Sequence, residues 1–348
     1  MRIAVAAPGP FTTISGGYVY DRRIVEGLRA RGHDVRIVEL PGRHPLPDAA
    51  ALEAARAALA AADGATLVID GLGLPAFAPL APQLAERGAV GLIHHPTALE
   101  TGFSEQDRQA LKALECEAMP ALARLITVSA DTAERLVAEF GCDPTRIGIV
   151  EPGTDEAPRS QGSGSGTCAI LSVGTLVPRK GHDVLLRALA RLTDLDWSLT
   201  IVGSAERDPV HAHGLKALVE ELGLGGRVTF AGEMDDAALA AFYARADIFA
   251  LATHWEGYGM VIAEALARGL PIAITAGGAA AALAPKEASV VSPPGDSNSL
   301  GRAMRRVIFD RALRAQMAEA AWQAGQRLPR WSDRAAAFEA ELMKVAAG

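Results

Sequence analysis

The chain has 348 residues, of which 49% are hydrophobic and 22% charged. A single hydrophobic core stops growing near ~250–300 residues, so this length predicts two globular domains. The net charge is −7, and the first 155 residues carry 14 Lys and Arg against 20 Asp and Glu. Nucleic-acid binding needs a clustered positive excess, so the charge balance argues against nucleic acid as a partner, and against an anionic membrane for the first half.

The cysteines and the apolar runs give expectations about the compartment. Cys116, Cys142 and Cys168 are scattered without zinc-site spacing, which favours free thiols in a reducing cytoplasm. The chain opens on a strand-like pattern instead of a signal peptide, and its apolar runs are shorter than the ~18 residues of a membrane span. We therefore expect a cytoplasmic protein with no transmembrane segment, and the sequence leaves its oligomeric state open.

Short apolar runs recur along the chain and predict strands, each followed by a helix-like segment. In the first half they lie at residues 3–7, 35–38, 66–70, 89–93, 125–128 and 147–150. In the second half they lie at residues 169–173, 198–202, 227–230, 247–251, 271–275 and 288–291. Nearly continuous apolar runs are typical of parallel strands buried on both faces, and alternation with helices indicates an α/β fold.

The composition of the segments between these runs predicts the domain boundaries. Residues 158–167 are rich in Gly and Ser, as in a flexible linker or exposed loop. We therefore expect an N-terminal domain over 1–157, a linker over 158–167 and a C-terminal domain over 168–330. A helix over 331–348, a candidate to cross back to the first domain, is predicted from a stripe of Trp331, Ala335, Phe338, Leu342 and Val345. Ligands are expected at the carboxyl ends of the strands, in a central cleft that the two sheets face.

Two segments place glycines and cations where a parallel sheet can bind phosphate. Gly16 and Gly17 precede the first helix, where glycine lets a backbone approach a diphosphate and the helix N-terminus supplies N–H groups. A tight turn explains these two glycines equally well. Gly174, Arg179 and Lys180 follow the first strand of the second half. A leaving diphosphate needs cations at such a position, although a solvated charge pair is the alternative.

The segment from Glu256 to Glu264 carries the sharpest chemical pattern. It joins strand 247–251 to a helix predicted over residues 259–268. Glu264 lies in an otherwise apolar helix, where a carboxylate is costly unless it is hydrogen-bonded, and ribose hydroxyls are suitable donors. Glu256 precedes the helix and is expected to point into the cleft. Backbone N–H groups suited to a phosphate are those of Tyr258, Gly259 and Met260.

Taken together, these segments resemble family 4 of the retaining glycosyltransferases, also called glycosyl transferases group 1, which have the GT-B fold. The resemblance covers nearly the whole chain. It rests on the ordered set of Gly16-Gly17, the segment from Val173 to Gly181, residues 199–203 and 228–232, the segment from Glu256 through Gly269-Leu270-Pro271, and Pro294-Gly295-Asp296 with Leu300.

The resemblance implies roles for individual residues. Arg179 and Lys180 would hold the donor diphosphate, Glu264 would bind ribose, and Glu256 would contact the transferred sugar. His94 would be the histidine that this family often has after the fourth strand, with His95 left open and simple strand capping as the alternative. The implied catalytic set is Arg179, Lys180, Glu256 and His94. The implied donor-binding set is Gly16, Gly17, Gly174, Arg179, Lys180, Glu256, Gly257, Tyr258, Gly259, Met260 and Glu264.

The chain departs from the family pattern at one segment. Residues 277–281 read Gly-Gly-Ala-Ala-Ala where the family often has Gly-Gly-x-Pro-Glu. This puts contacts to the sugar on that side in doubt, and the backbone N–H groups of Gly277 and Gly278 are the expected replacement. Asp194 and Asp196 match an Asp-x-Asp metal motif in letters only, since they lie in a predicted surface turn.

The function expected from the resemblance is metal-independent, retaining transfer of a sugar from a nucleotide diphosphate sugar to an acceptor. A UDP-sugar is favoured, with GDP- and ADP-sugars as alternatives, and no cofactor is expected. The acceptor is unknown and would contact the loops at 11–18, 40–48 and 94–104. The competing readings are a GT-B phosphorylase or epimerase, and a non-catalytic nucleotide-sugar-binding subunit.

Overall fold

The computed structural model describes residues 1–100 and 102–346 of the chain. Two compact units are present: Met1–Gly153 together with the C-terminal segment from Pro329, and Thr154–Leu328. Each unit contains one six-stranded sheet in which all neighbouring strands are parallel. The predicted α/β fold with two Rossmann-like halves is confirmed. Thr101 and residues 347–348, which belong to the predicted acceptor loop and C-terminal segment, lie outside the described residues.

The sheet of the first unit has the strand order β2-β1-β3-β4-β5-β6. Its strands are β1 (Arg2–Pro8), β2 (Asp34–Leu40), β3 (Thr66–Asp70), β4 (Val90–Ile93), β5 (Arg124–Thr127) and β6 (Ile147–Ile149). The helices are α1 (Gly16–Ala30), α2 (Ala49–Ala61), α3 (Ala81–Arg87), α4 (Glu105–Ala118) and α5 (Ala130–Phe140). All residues of β4 are buried, as a parallel strand covered on both faces requires.

The sheet of the second unit has the strand order β12-β11-β10-β7-β8-β9. Its strands are β7 (Cys168–Val173), β8 (Trp197–Val202), β9 (Val228–Gly232), β10 (Ile248–Leu251), β11 (Ile272–Thr275) and β12 (Ser289–Ser292). The helices are α6 (His182–Leu189), α7 (Pro209–Glu221), α8 (Asp236–Arg245), α9 (Met260–Ala267), α10 (Ser297–Phe309) and α11 (Arg311–Gln326). The central strands β7 and β10 are neighbours, so their carboxyl ends lie side by side and bring two distant parts of the sequence together.

The Gly/Ser-rich segment is tied to the second unit by hydrogen bonds. The Ser160 hydroxyl donates to the carbonyls of Ala244 and Ala246, and the Ser163 N–H donates to Asp247. The predicted linker over 158–167 therefore lies along this unit, and the division between the two units falls earlier, at Gly153. Composition alone does not reveal these contacts, because Asp247 comes more than 80 residues later in the chain.

The C-terminal helix α12 (Trp331–Ala346) belongs to the first unit and buries Ala335, Phe338 and Leu342, three residues of the predicted stripe. It packs on α1, where a Cβ added to Gly27 would lie 2.4 Å from the Cβ of Ala335. Glu339 also accepts hydrogen bonds from Arg31 and, at 2.7 Å, from His33. The close approach of the two helices therefore depends on a residue without a side chain.

Throughout residues 1–100 and 102–346, the structure has no helix that combines the length and the apolar character needed to cross a membrane.

We expect Gly27→Ala to destabilise the protein by ~1–3 kcal/mol, the usual cost of overpacking. The matched control is Gly214→Ala on α7, where an added Cβ meets nothing within 4 Å. That control should be neutral or stabilising by ~0.5–1 kcal/mol, because alanine favours a helix interior more than glycine does. Urea unfolding midpoints of both variants check this, and equal midpoints would mean that α1 and α12 separate without cost.

Candidate active site

In the second unit, the carboxyl ends of β7 and β10 carry the cations and the carboxylate that the sequence singled out. After β7 the chain passes Gly174 and enters a short 3₁₀ turn over Pro178–Lys180. After β10 it continues through Thr253 to Glu256. The backbone joins the two loops, because the His254 N–H donates to the Arg179 carbonyl at 2.8 Å. Side chains 76 residues apart in sequence are thereby neighbours.

Glu256 is the centre of this cluster and is only 7% exposed. Its Oε1 accepts hydrogen bonds from Lys180 Nζ at 2.7 Å and Thr253 Oγ1 at 3.0 Å, and Arg179 Nη1 lies 3.5 Å away. Burial would raise the pKa of Glu256, but the charges of Lys180 and Arg179 outweigh it and hold that pKa below its usual value. The carboxylate is thus ionised, and two cations against one anion leave a net positive charge.

The Gly277–Gly278 segment is fixed to the backbone of Glu256. The Glu256 N–H donates to the Gly277 carbonyl at 3.1 Å, and the Ala279 N–H donates to the Glu256 carbonyl at 2.9 Å. Gly278 has φ +61, and a Cβ there would lie 2.4 Å from the Glu256 carbonyl oxygen. The Gly277 N–H itself donates to the Thr275 carbonyl at 2.9 Å. This N–H therefore already has a backbone acceptor, and the expectation that the N–H groups of Gly277 and Gly278 serve a sugar stays a prediction.

Helix α9 begins at Met260, and Gly259 with φ +98 forms its N-cap. Gly257, Tyr258 and Gly259 form the turn before it, in which Tyr258 is buried. The predicted helix over residues 259–268 thus matches α9 closely. A non-glycine residue at the cap would be strained, so the local sequence fixes the start of the helix.

The side chain of Glu264, on α9, is oriented by a tyrosine that was not predicted from the sequence. The Tyr243 hydroxyl donates to Glu264 Oε2 at 3.0 Å, and the Arg268 guanidinium lies 4.4 Å above the Tyr243 ring. Burial raises the pKa of Glu264, with Tyr243 and Arg268 opposing that effect. A partly buried carboxyl supported on one oxygen is suited to accepting a hydrogen bond from a ligand on the other.

In the first unit, His94 directly follows β4 and packs against the start of α1. Its ring lies so close to Gly17 that a Cβ there would be 3.2 Å from His94 Cδ2, whereas a Cβ at Gly16 would meet nothing within 4 Å. The His94 Nε2 lies 2.8 Å from Asp21 Oδ1 and 3.8 Å from Asp70 Oδ2. Of the two adjacent histidines, His94 is therefore the one that lies beside Asp21 and Asp70 and packs against Gly17 at the start of α1. His95 is partly buried beside it.

Asp21, Asp70 and His94 also have the spacing of a metal site, with one ligand atom from each within 4.8 Å of the others. The His94–Asp21 separation is that of a charge-assisted hydrogen bond, in which a proton occupies the space between nitrogen and oxygen. A cation bound here would have to replace that proton. We therefore treat the three residues as a hydrogen-bonded cluster.

Helix α4 contributes a buried carboxyl that the sequence analysis also missed. Glu115 is fully buried and accepts hydrogen bonds from the N–H and hydroxyl of Thr97 and from the N–H of Ala98. It thereby fixes the turn that follows the histidine pair. The available signal was its place on the buried stripe of α4, between Leu111 and Ala118.

Solved structures with this architecture define the class. The chain superposes on sucrose-phosphate synthase from Thermosynechococcus elongatus with a TM-score of 0.83 and 21% identity over 99% of both chains. It superposes on HepE from Anabaena, solved with UDP and glucose, with a TM-score of 0.80 and 18% identity over 99% of this chain and 100% of that one. The fold is therefore GT-B.

Sequence comparisons identify the family. The family model described as Glycosyltransferase Family 4 matches residues 14–157, and the family model described as Glycosyl transferases group 1 matches residues 154–324. The chain belongs to glycosyltransferase family 4, as its motifs predicted.

Curated relatives include the D-inositol 3-phosphate glycosyltransferase of Thermomonospora curvata, which is 30% identical over 57% of this chain and 52% of the relative. The protein of the same name from Salinispora tropica is 30% identical over 68% of this chain and 55% of the relative. The chain spans about half the length of the curated relatives it matches.

A buried histidine, His182, follows the turn over Pro178–Lys180, and its burial predicts how the stability of the protein depends on pH. His182 Nε2 lies 3.2 Å from the Gly174 carbonyl, and burial lowers the pKa of His182 from 6.5 to about 4, with Lys180 adding to the shift. Between pH 6.5 and about pH 4, His182 is therefore protonated in the unfolded chain and neutral in the folded chain. The contribution of His182 to stability is complete above pH 6.5, and ~3 kcal/mol of it is lost as the pH falls toward 4.

His182→Gln should remove this part of the acid sensitivity, because glutamine does not titrate. Urea unfolding of both proteins between pH 4 and pH 7.5 measures the difference, in which the titration of the other groups cancels. Parallel stability curves for the two proteins over this range would contradict the prediction.

Proposed function

We propose that this protein is a retaining glycosyltransferase that moves a sugar from a nucleotide diphosphate sugar to an acceptor hydroxyl without a metal ion. The observation that carries the proposal is the ionised Glu256 held by Lys180 and Arg179 at the carboxyl ends of β7 and β10. This edge is where open parallel sheets bind nucleotides. It also keeps a net positive charge that suits a diphosphate.

Arg179 and Lys180 are assigned to the donor diphosphate. Before the donor binds, Lys180 Nζ donates a hydrogen bond to Glu256 Oε1 at 2.7 Å. A diphosphate carries more negative charge than one carboxylate, so it can share both cations and leave Glu256 to accept from a hydroxyl of the transferred sugar. The cations then stabilise the charge that develops on the leaving diphosphate, which is the largest electrostatic demand of the reaction.

Glu264 is assigned to the donor ribose. Tyr243 orients its carboxyl through Oε2, and Oε1 is the oxygen that we assign to a ribose hydroxyl. The start of α9, from Tyr258 to Met260, offers backbone N–H groups and a partial positive charge to the phosphates. UDP is the favoured nucleotide, since HepE was solved with UDP and with UDP-glucose, and GDP and ADP are the alternatives.

Metal independence and retention follow from how charge and protons are handled in this scheme. The side chains of Arg179 and Lys180 take the role that Mg²⁺ has in other phosphate chemistry. Asp194 of the Asp-x-Asp pair instead accepts two hydrogen bonds from Arg305 at 2.7 and 2.8 Å on the surface. The acceptor oxygen attacks the anomeric carbon from the face that the diphosphate leaves. Attack on that same face retains the configuration, and a diphosphate oxygen takes the acceptor proton.

A non-catalytic nucleotide-sugar-binding subunit is the second candidate, and the segment 277–281 favours it. This segment lacks the Pro and Glu of the family pattern, and its first N–H donates to Thr275. Such a protein would bind the nucleotide without turning over its sugar. A phosphorylase would instead consume free phosphate, and an epimerase would need no acceptor, so product analysis separates both from a transferase.

The proposal is tested by thermal unfolding with UDP, GDP, ADP and dTDP in turn, each with and without EDTA. A nucleotide at ~100 times its dissociation constant should add ~2.7 kcal/mol of stability. We expect one nucleotide to stabilise selectively, equally in EDTA, and to lose its effect in Glu264→Ala. A panel without any stabilisation, or a stabilisation that EDTA abolishes, contradicts the donor site as assigned.

For turnover, Lys180→Ala should lower kcat by a factor on the order of 10²–10³, the usual effect of removing one charge-stabilising donor. Lys216→Ala is the control, since Lys216 is an exposed lysine of the same unit on α7. The anomeric proton coupling of the product gives its configuration. Near-normal turnover in Lys180→Ala would contradict the role of Lys180, and an inverted product would contradict retention.

A further inference from the structure

Three titratable side chains from three elements meet in the first unit. Asp21 lies on α1 and is 2% exposed, Asp70 is the last residue of β3 and is 5% exposed, and His94 directly follows β4. The His94 Nε2 faces both carboxyls, at 2.8 Å from Asp21 and 3.8 Å from Asp70. Of these three side chains, only the histidine was predicted from the sequence as a site residue.

The imidazole is held by packing as well as by charge. Gly17 lies against one part of the ring, and the Tyr20 ring meets it edge to face at 5.1 Å. The Tyr20 hydroxyl donates to the Val150 carbonyl at 2.8 Å, which fixes the tyrosine in turn. About a fifth of the His94 side chain, 22%, stays exposed. The ring therefore has one orientation, with Nε2 turned inward and Nδ1 as the nitrogen that Asp21 does not occupy.

Charge explains why a histidine lies here. Two buried carboxyls destabilise each other unless a cation or a proton compensates them. Burial and the neighbouring Asp21 raise the pKa of Asp70. Burial lowers the pKa of His94, but the charge and hydrogen bond of Asp21, with the charge of Asp70, outweigh it and raise that pKa. The charged or titratable groups that face the ring are Asp21 and Tyr20 from α1 and Asp70 from β3. Arg334 of α12 acts on Tyr20.

We propose that Asp21 and Asp70 are positioning residues that hold His94 as an imidazolium, with Nε2–H bound to Asp21 and Nδ1–H presented to an oxygen of the substrate. The inference rests on the proposed function, because it assigns the protonation state of a residue of that site. An imidazolium donates from both nitrogens, so His94 acts as a hydrogen-bond donor and not as a base. The two carboxyls act through His94 without contacting the substrate.

The direct test is an NMR titration of the histidine ring Cε1–H resonances in the full chain. The protein has 8 histidines, and loss of one resonance in His94→Gln identifies the relevant signal. We expect the titration midpoint of His94 to lie above 6.5, the ordinary pKa of histidine, and to move to lower pH in Asp21→Asn and, by less, in Asp70→Asn. Asp63→Asn is the control, since Asp63 is 89% exposed and pairs with Arg87.

The pattern of midpoints decides the inference without reference to activity. A wild-type midpoint below 6.5, or midpoints that neither Asp21→Asn nor Asp70→Asn moves, overturns it. Circular dichroism establishes that each variant is folded, and either carboxyl variant alone suffices if the other does not fold. This readout is independent of the donor, so it stands or fails separately from nucleotide binding.

The pH dependence of transfer supplies the functional readout. A required imidazolium donor predicts that kcat/KM falls as the pH rises through the His94 titration. In Asp21→Asn this alkaline limb should move to lower pH together with the NMR midpoint, whereas a merely structural role would lower the rate at every pH without moving the limb. An acidic limb that follows the His94 midpoint instead identifies His94 as a base and overturns the proposal.

Discussion

The ion pair between Glu256 and Lys180 is the interaction on which the rest of the second unit's site depends. A buried carboxylate is tolerated only when it is paired and hydrogen-bonded, and here Lys180, Arg179 and Thr253 satisfy it together. Satisfying it forces the turn after β7 against the loop after β10, and the backbone of Glu256 in turn fixes the Gly277–Gly278 segment. The same contacts that stabilise the loops thus bring together the two cations that the proposed function assigns to a donor diphosphate.

The first unit also contains buried carboxyl groups that need partners, and different residues supply those partners. Its buried carboxyls Asp21 and Asp70 lie 2.8 and 3.8 Å from the His94 Nε2, and Glu115 accepts hydrogen bonds from Thr97 and Ala98. Both arrangements surround the short stretch after β4 that begins with His94. In each unit a polar group at the end of a parallel strand, Glu256 after β10 or His94 after β4, is paired with charged side chains from neighbouring elements, because a buried charge is costly without a partner.

The sequence predicted the strands, the helices and the family because these depend on local patterns. Apolar runs and capping glycines such as Gly259 report short-range constraints, and the motif around Glu256 and Glu264 is contiguous. The pairing of Lys180 with Glu256 depends on strand order, which a single sequence does not state. Asp21 was a readable signal, since it lies on the buried stripe of α1 with Ile24 and Leu28. The hydrogen bond from Tyr243 to Glu264 had no counterpart in local pattern.

The central claim is that the cations bound to Glu256 are the diphosphate site. The most direct measurement is a calorimetric titration of the most stabilising nucleoside diphosphate into wild-type protein and Glu256→Gln. Glutamine keeps the size and the hydrogen-bonding oxygen but releases Lys180 and Arg179 from a competing charge. The account predicts that the variant binds the nucleotide at least as tightly as the wild type. Markedly weaker binding by Glu256→Gln would mean that the carboxylate itself supports the nucleotide, and would contradict the assignment of these cations.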